Sequence, residues 1–224
     1  DHGEEKEFEE LTARLTDLFN YLKKERSSEP FVEPSEPFFI AVPGNHDLVR
    51  PGSKSFGCKM MTKMWADDDD IQNDTWNKQT DSEAWKVIQT AFKNYTDWYD
   101  GPLPFKKPPD MTPGLLPGEF SVTVPKDSYQ IGILGLNTAF LQLDGGDFKG
   151  KLDANAAQVV AACGLTHHEW VEKHDACLLL THHPSDWLSN LGKEQFEGII
   201  APSGRFALHL CGHNHEPQMA ESKW

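Results

Sequence analysis

Hydrophobic and polar positions along this chain follow two periods. Phe8, Leu11, Leu15, Leu18, Phe19 and Leu22 recur on one stripe of residues 4–25, the spacing of an amphipathic helix. Short unbroken apolar runs at 38–42, 176–180 and 206–210 read instead as buried strands. Two more strands are predicted at 120–124 and 129–136, joined by a turn over 125–128; the second is almost wholly apolar and belongs at the centre of a sheet. Pro30, Pro34 and Pro37 mark an extended lead into the run at 38–42. Asp81 or Ser82 stands where it would cap a helix carrying Trp85, Ile88, Phe92, Tyr95 and Trp98, and another helix is predicted over 153–173 with Asp153 near its start. Strands interleaved with helices give an α/β fold.

Polar residues follow each of the three short runs. Gly44-Asn45-His46-Asp47 follows the first, Thr181-His182-His183-Pro184 the second and Gly212-His213-Asn214-His215 the third. If the runs are mutual neighbours, three sets of imidazole and amide groups leave one edge of one sheet, which is how a metal site is built. Strand ends are rigid, and Gly44 and Gly212 allow sharp turns that let the following side chains converge. Neutral imidazole is the commonest transition-metal ligand, and the amide oxygen of Asn45 is a harder donor suited to Mn, Fe or Zn. His213 and His215 could reach two neighbouring ions, and a pair roughly 3.5–4 Å apart is the usual arrangement for hydrolysing phosphate esters.

In this order and at these strand ends, the three blocks resemble the third, fourth and fifth motifs of the calcineurin-like metallophosphoesterases. Gly135-Leu136-Asn137-Thr138, Gly150-Lys151-Leu152 and Gln158 are similar to a pattern of the branch related to cyclic-nucleotide phosphodiesterases. The likeness spans residues 31–50 and about 118–217. It implies two stacked mixed sheets flanked by helices, a four-layer α/β fold. It also implies hydrolysis of a phosphomonoester or phosphodiester, with a nucleotide-type substrate favoured, by a metal-bound hydroxide. Asn45, His182 and His213 would then hold one ion and His215 the other, His46 would protonate the leaving group, and Asp47 would stand behind them. His183 is not expected among the ligands; with Asn137 and Asn214 it would touch substrate or support the site. Asn137 either faces the metals or orders a loop.

The family's opening Asp-x-His and Gly-Asp motifs are absent, and Asp1-His2-Gly3 looks like the tail of the second. The chain is therefore expected to start inside the domain, to be part of a longer protein with further domains, and to hold one divalent ion rather than the two of the complete domain. A catalytically silent metal-binding or scaffold module is the alternative reading, and a nuclease is another.

Composition narrows these choices. With 224 residues and 38% hydrophobic content, the chain suits one domain, 1–224, carrying a large insertion over 51–117. A net charge of -14 disfavours broad nucleic-acid binding. No apolar run is long enough to span a bilayer, which with no signal region points to the cytoplasm. Cys58, Cys163, Cys177 and Cys211 lack paired spacing and read as reduced, buried thiols. Trp65, Trp76, Trp85 and Trp98 of the insertion either stack on a base at the site's mouth or form a satellite core. Consecutive carboxylates at 67–70 read as a solvated loop, and Asp144 and Asp147 as loop caps. His167, His168 and His174 are expected at the surface, and His209 as a satisfied core imidazole.

Overall fold

The protein, seen in a computed structural model, is described over residues 3–27, 37–164 and 167–215. Asp1 and His2, and the extended connection expected at Pro30 and Pro34, lie outside these residues. Helix α1 (Glu5–Ser27) comes first, then a helical excursion of α2 (Phe56–Lys59), a π turn at Met60–Met64, a 3₁₀ turn at Trp65–Asp67, α3 (Asp69–Trp76), α4 (Glu83–Ala91) and α5 (Lys93–Asp100). Strands β1 (Thr112–Pro113), β2 (Phe120–Lys126) and β3 (Tyr129–Gly135) follow, then α6 (Ala156–Cys163), α7 (His167–Glu172), β4 (Ala176–Leu180), α8 (Asn190–Gln195) and β5 (Leu208–Leu210).

The strands form one mixed sheet in the order β1-β2-β3-β4-β5, so β3 is central as its apolar run demands. β1, β2 and β3 are antiparallel neighbours, whereas β3, β4 and β5 run parallel. Asp127, at φ 54°, takes the left-handed conformation that a two-residue hairpin between Lys126 and Tyr129 requires. The carboxyl ends of β4 and β5 thus lie side by side and point the same way.

The fold is α/β, but among the described residues the second sheet is not formed. Residues 38–42 touch strand geometry at a single Phe38–Lys106 bridge. Ile40 and Val42 instead pack across the sheet face made by Phe120, Val122 and Ile133. The reason is local: the Ala41 carbonyl accepts from the Tyr95 hydroxyl at 2.9 Å, not from a neighbouring strand. Of the three runs expected side by side, β4 and β5 are paired and 38–42 lies over the sheet.

Two expected long helices are each divided. Ser82 caps α4, and α5 begins separately after Phe92. Asn155, not Asp153, caps α6 through a reciprocal box with Gln158, and Gly164 ends that helix at φ 86°. Asp153 instead accepts from Trp65 Nε1 at 3.0 Å. That bond, with edge-on packing of Trp65 and Trp76 on Phe140, joins the insertion to the main core, which also holds Trp85, Leu134 and Leu179. Trp65, Trp76 and Trp85 of the insertion are therefore packed in or against the main core. Trp98 packs in a second cluster, stacked on Phe8 of α1 at 5.1 Å.

Asp68 caps α3 through the backbone N–H groups of Asp70 and Ile71, and Asp144 and Asp147 cap their own loops. The four cysteines are free, with Cys211 exposed and not buried. No helix of the described residues is long and apolar enough to cross a membrane.

Candidate metal centre

Two strand ends and one turn build the site. Beyond β4 and β5 the parallel ladder continues, with Thr181 N donating to Leu210 O at 3.1 Å and Gly212 N to His182 O at 3.0 Å. His182 and His213 are thereby delivered from adjacent strands, at the carboxyl edge where open α/β sheets place their sites. Asn45 arrives from above, on a turn closed by Asp47 N to Gly44 O at 3.1 Å and by Gly44 N to Asp47 Oδ2 at 2.8 Å. A Cβ on residue 44 would lie 2.6 Å from His182 Nδ1, so Gly44 serves close approach of turn to ring. Gly212 serves neither purpose: a Cβ there meets nothing closer than 3.8 Å, and its φ is not positive.

The sharp turn after β5 is taken by His213 and His215, at φ 65° and 55°. Asn214 N donates to Gly212 O at 2.8 Å, closing a three-residue turn around His213. A side chain with a Cβ in this conformation costs roughly 1–3 kcal/mol and persists where the surroundings overdetermine it. Trp187 supplies that constraint: its ring lies 4.0 Å from the His213 ring, centroid to centroid, and its Nε1 donates to Asn214 Oδ1 at 3.2 Å. Gly150 N and Leu152 N in turn donate to Trp187 O at 3.0 and 3.3 Å.

His182 Nε2 lies 2.8 Å from Asn45 Oδ1 and 3.0 Å from His213 Nδ1. Burial first, then the neighbouring His213, His46 and His215, pushes His182 down to about 4. His213 is lowered too, by burial and then by His215 and His46. Both rings are neutral near pH 7, the form that binds metals. His46 and His215 are exposed, and their charges act on both rings. Asp47 is raised by burial, against the pull of the Gly44 N–H and of His46.

His183 is a separate case. By distance it groups with His182 and His213, one ring nitrogen of each lying within 4.8 Å of the others. Hydrogen bonding separates it, because Nδ1 sits 3.1 Å from Thr138 O and 3.2 Å from Thr138 Oγ1, and Nε2 2.8 Å from Gln142 Oε1. It is 1% exposed, and burial followed by its two histidine neighbours drives it down to about 2. With both nitrogens occupied it offers an ion no lone pair.

The site residues expected from sequence thus divide. Asn45, His182 and His213 share a point, His46 and His215 stand beside it, and Asp47 stiffens the turn. Asn214 faces Trp187. Asn137 faces away: it is fully buried, donating Nδ2 to Pro117 O at 3.0 Å and accepting from Ala139 N at 2.9 Å, which is loop ordering. Trp187, Thr138 and Gln142 support the site, and Glu119 grips the loop after β3, without a periodic signature. Glu119 carried one readable sign, a lone charge between Leu115-Leu116 and the apolar start of β2. Cavities of about 480 and 530 Å³ lie elsewhere; of the site residues and those that support them, only Glu119 lines one, the larger of the two.

Two imidazole nitrogens and an amide oxygen converge with too few N–H groups to satisfy one another, and this mixed N/O set fits a divalent cation of the Mn, Fe or Zn type. A sequence model of the calcineurin-like phosphoesterases matches residues 1–217. No curated protein and no solved structure matches the chain. The chain therefore belongs to the calcineurin-like phosphoesterase family, and with that family goes metal-dependent hydrolysis of phosphoesters.

Proposed function

We propose that the chain hydrolyses a phosphomonoester or phosphodiester, nucleotide-type by preference, using a divalent ion held by Asn45, His182 and His213, with His215 available to a second ion. The observation that carries this reading is the approach of His182 Nε2 to Asn45 Oδ1 and His213 Nδ1, at 2.8 and 3.0 Å. Divalent ions there would neutralise phosphoryl oxygens and make water a competent nucleophile near neutral pH. The protein's own residues do the rest. Neutral His182 and His213 present lone pairs, and Asp47 fixes the turn that aims Asn45. His46, exposed beside the cluster, would protonate the departing alkoxide. The half-buried Trp187 ring next to His213 is the aromatic surface on which a base would stack.

The test is hydrolysis of bis(p-nitrophenyl) phosphate and p-nitrophenyl phosphate with added Mn²⁺ or Zn²⁺ and with chelator. Turnover that needs metal is expected, and His46→Ala should lower it about 10²-fold with metal content unchanged. Asn45→Ala and His213→Ala should lower metal content itself. Equal metal loss in all three would contradict this division of roles, and no metal-dependent turnover of either ester would end the reading.

A second reading rests on a different observation: among the described residues, the metal-competent group contains histidines and no carboxylate. On that reading 1–224 is one module of a longer polypeptide, working in the cytoplasm with its cysteines reduced, that binds an ion without turnover. Stoichiometric metal binding with no hydrolysis would favour it.

A further inference from the structure

Glu119 is a buried carboxylate, 4% exposed, just ahead of β2. Its Oε2 accepts from Leu115 N and Leu116 N at 3.0 and 2.9 Å; its Oε1 accepts from Asn137 N at 3.0 Å and from Gln158 Nε2. Burial pushes its carboxyl up to about 7, against the pull of these N–H donors. Since every contact presents a hydrogen, the geometry accommodates the ionised carboxylate. Three stretches of chain far apart in sequence meet on it: the 114–119 turn, the loop after β3 and the start of α6.

The loop after β3 then reaches the metal centre. Asn137 is followed by Thr138, whose hydroxyl accepts from His183 N at 2.9 Å and, with the Thr138 carbonyl, faces His183 Nδ1. Gln142 of the same loop holds the other ring nitrogen. The His183 ring packs edge-on to His182 at 4.6 Å and lies 4.4 Å from the His213 ring. His183 is thus a fixed wall against which both proposed ligands rest, and its own position is fixed by the loop that Glu119 anchors. Asn137 and Gln158, which have no contact with the centre, acquire a shared purpose as two of the groups that grip Glu119.

We propose that Glu119 is a positioning residue for the metal centre: through Asn137 and Thr138 it holds His183 in one orientation, and His183 sets the spacing of His182 and His213. This rests on the metal reading given above. A carboxylate that merely stabilised the 114–119 turn would leave the histidines as they are, so the decisive readout is the state of His183.

Long-range ¹H–¹⁵N spectra of the metal-free chain should show His183 as one fixed neutral tautomer. Glu119→Gln, which turns an N–H group toward N–H donors, and Thr138→Val, which removes the hydroxyl downstream, should each shift or broaden the His183 signals. Both should weaken Mn²⁺ or Co²⁺ binding about 10-fold or more, the scale of lost support behind metal ligands. Should Glu119→Gln not fold, Gln158→Met, which withdraws one donor, must still move His183. Unchanged His183 signals in the folded Glu119 or Gln158 variant overturn the proposal, as does wild-type ion affinity in a variant whose His183 has moved. If the unaltered chain binds no ion, the metal reading fails instead, while the His183 spectra still decide whether Glu119 acts on that ring.

Discussion

Two polar corners stand either side of the loop after β3, and they handle burial in opposite ways. Around Glu119, four N–H groups meet two carboxylate oxygens and the Asn137 side chain finds both a donor and an acceptor, so the network is closed. Around His182, an amide oxygen and two neutral imidazole nitrogens crowd together with hydrogens for only part of their lone pairs. A closed network holds a fold together; one with surplus acceptors is completed by a cation. Neighbouring His182 and His183 fall on opposite sides of that line. One faces other acceptors and is proposed as a ligand; the other has both nitrogens engaged by Thr138 and Gln142.

The largest effect expected from this contrast is at the open corner. His182→Ala or His213→Ala should reduce divalent-ion affinity about 100-fold or more, by removing a ligand outright, which exceeds the 10–100-fold typical of groups behind ligands. In the metal-free chain the same changes should leave the urea midpoint nearly unmoved, because little satisfied hydrogen bonding is lost. Titration calorimetry and urea unfolding on the same samples measure both. At the closed corner the profile inverts. Asn137→Ala strands the Pro117 carbonyl and the Ala139 N–H in the interior and should cost about 2–4 kcal/mol of stability, with a smaller drop in ion affinity. Matching profiles at the two corners would dissolve the distinction.

The two corners also differed in legibility. The open corner could be read from sequence because its residues follow apolar runs directly, and chain order plus residue type suffices when rigid strand ends do the aiming. Asn45 meets His182 although 38–42 is not a sheet strand, since Pro43 and the Asp47-closed turn deliver it anyway. The closed corner was hidden. Glu119, Asn137 and Gln158 are 18 to 39 positions apart and meet only after the sheet and α6 are packed, and no period in the sequence encodes that. Helix existence was legible, whereas helix breaks after Ala91 and Cys163 were not, because apolar spacing continues through Phe92 and toward Trp170. The Trp residues of the insertion were ambiguous in principle: helical spacing shows that a face is buried, not what it is buried against. Trp187, the ring that does reach the site, lies in a 3₁₀ turn where spacing carries no information.

His209 tests the closed principle by pH. Burial pushes it down to about 4, and its Nε2 meets Thr181 Oγ1 at 2.8 Å. The folded value lies below the unfolded value of about 6.5, so the neutral ring favours the fold. Its contribution is complete above about pH 6.5 and is lost as pH falls toward 4, because the unfolded chain binds the proton first. The difference in unfolding free energy between wild type and His209→Phe, in chelator, should shrink by about 2 kcal/mol across that window. A difference independent of pH would mean that the ring is not held neutral.

The smallest effect sets the baseline for both corners. Ser82 Oγ accepts from Trp85 N at 3.2 Å and caps α4, whose Trp85 and Ile88 belong to the main core. Ser82→Ala leaves that N–H without its side-chain acceptor and should cost about 1 kcal/mol, the usual worth of such a cap. Urea unfolding would show it, with the slope unchanged. The cap touches neither the Glu119 network nor the histidines, so ion affinity should stay at the wild-type value. If affinity fell along with stability, any loosening of the core would reach the centre, and the effect of Glu119→Gln could no longer be assigned to the path through Asn137, Thr138 and His183. Stability that falls while affinity holds would show that the centre responds to that path and not to the overall firmness of the fold.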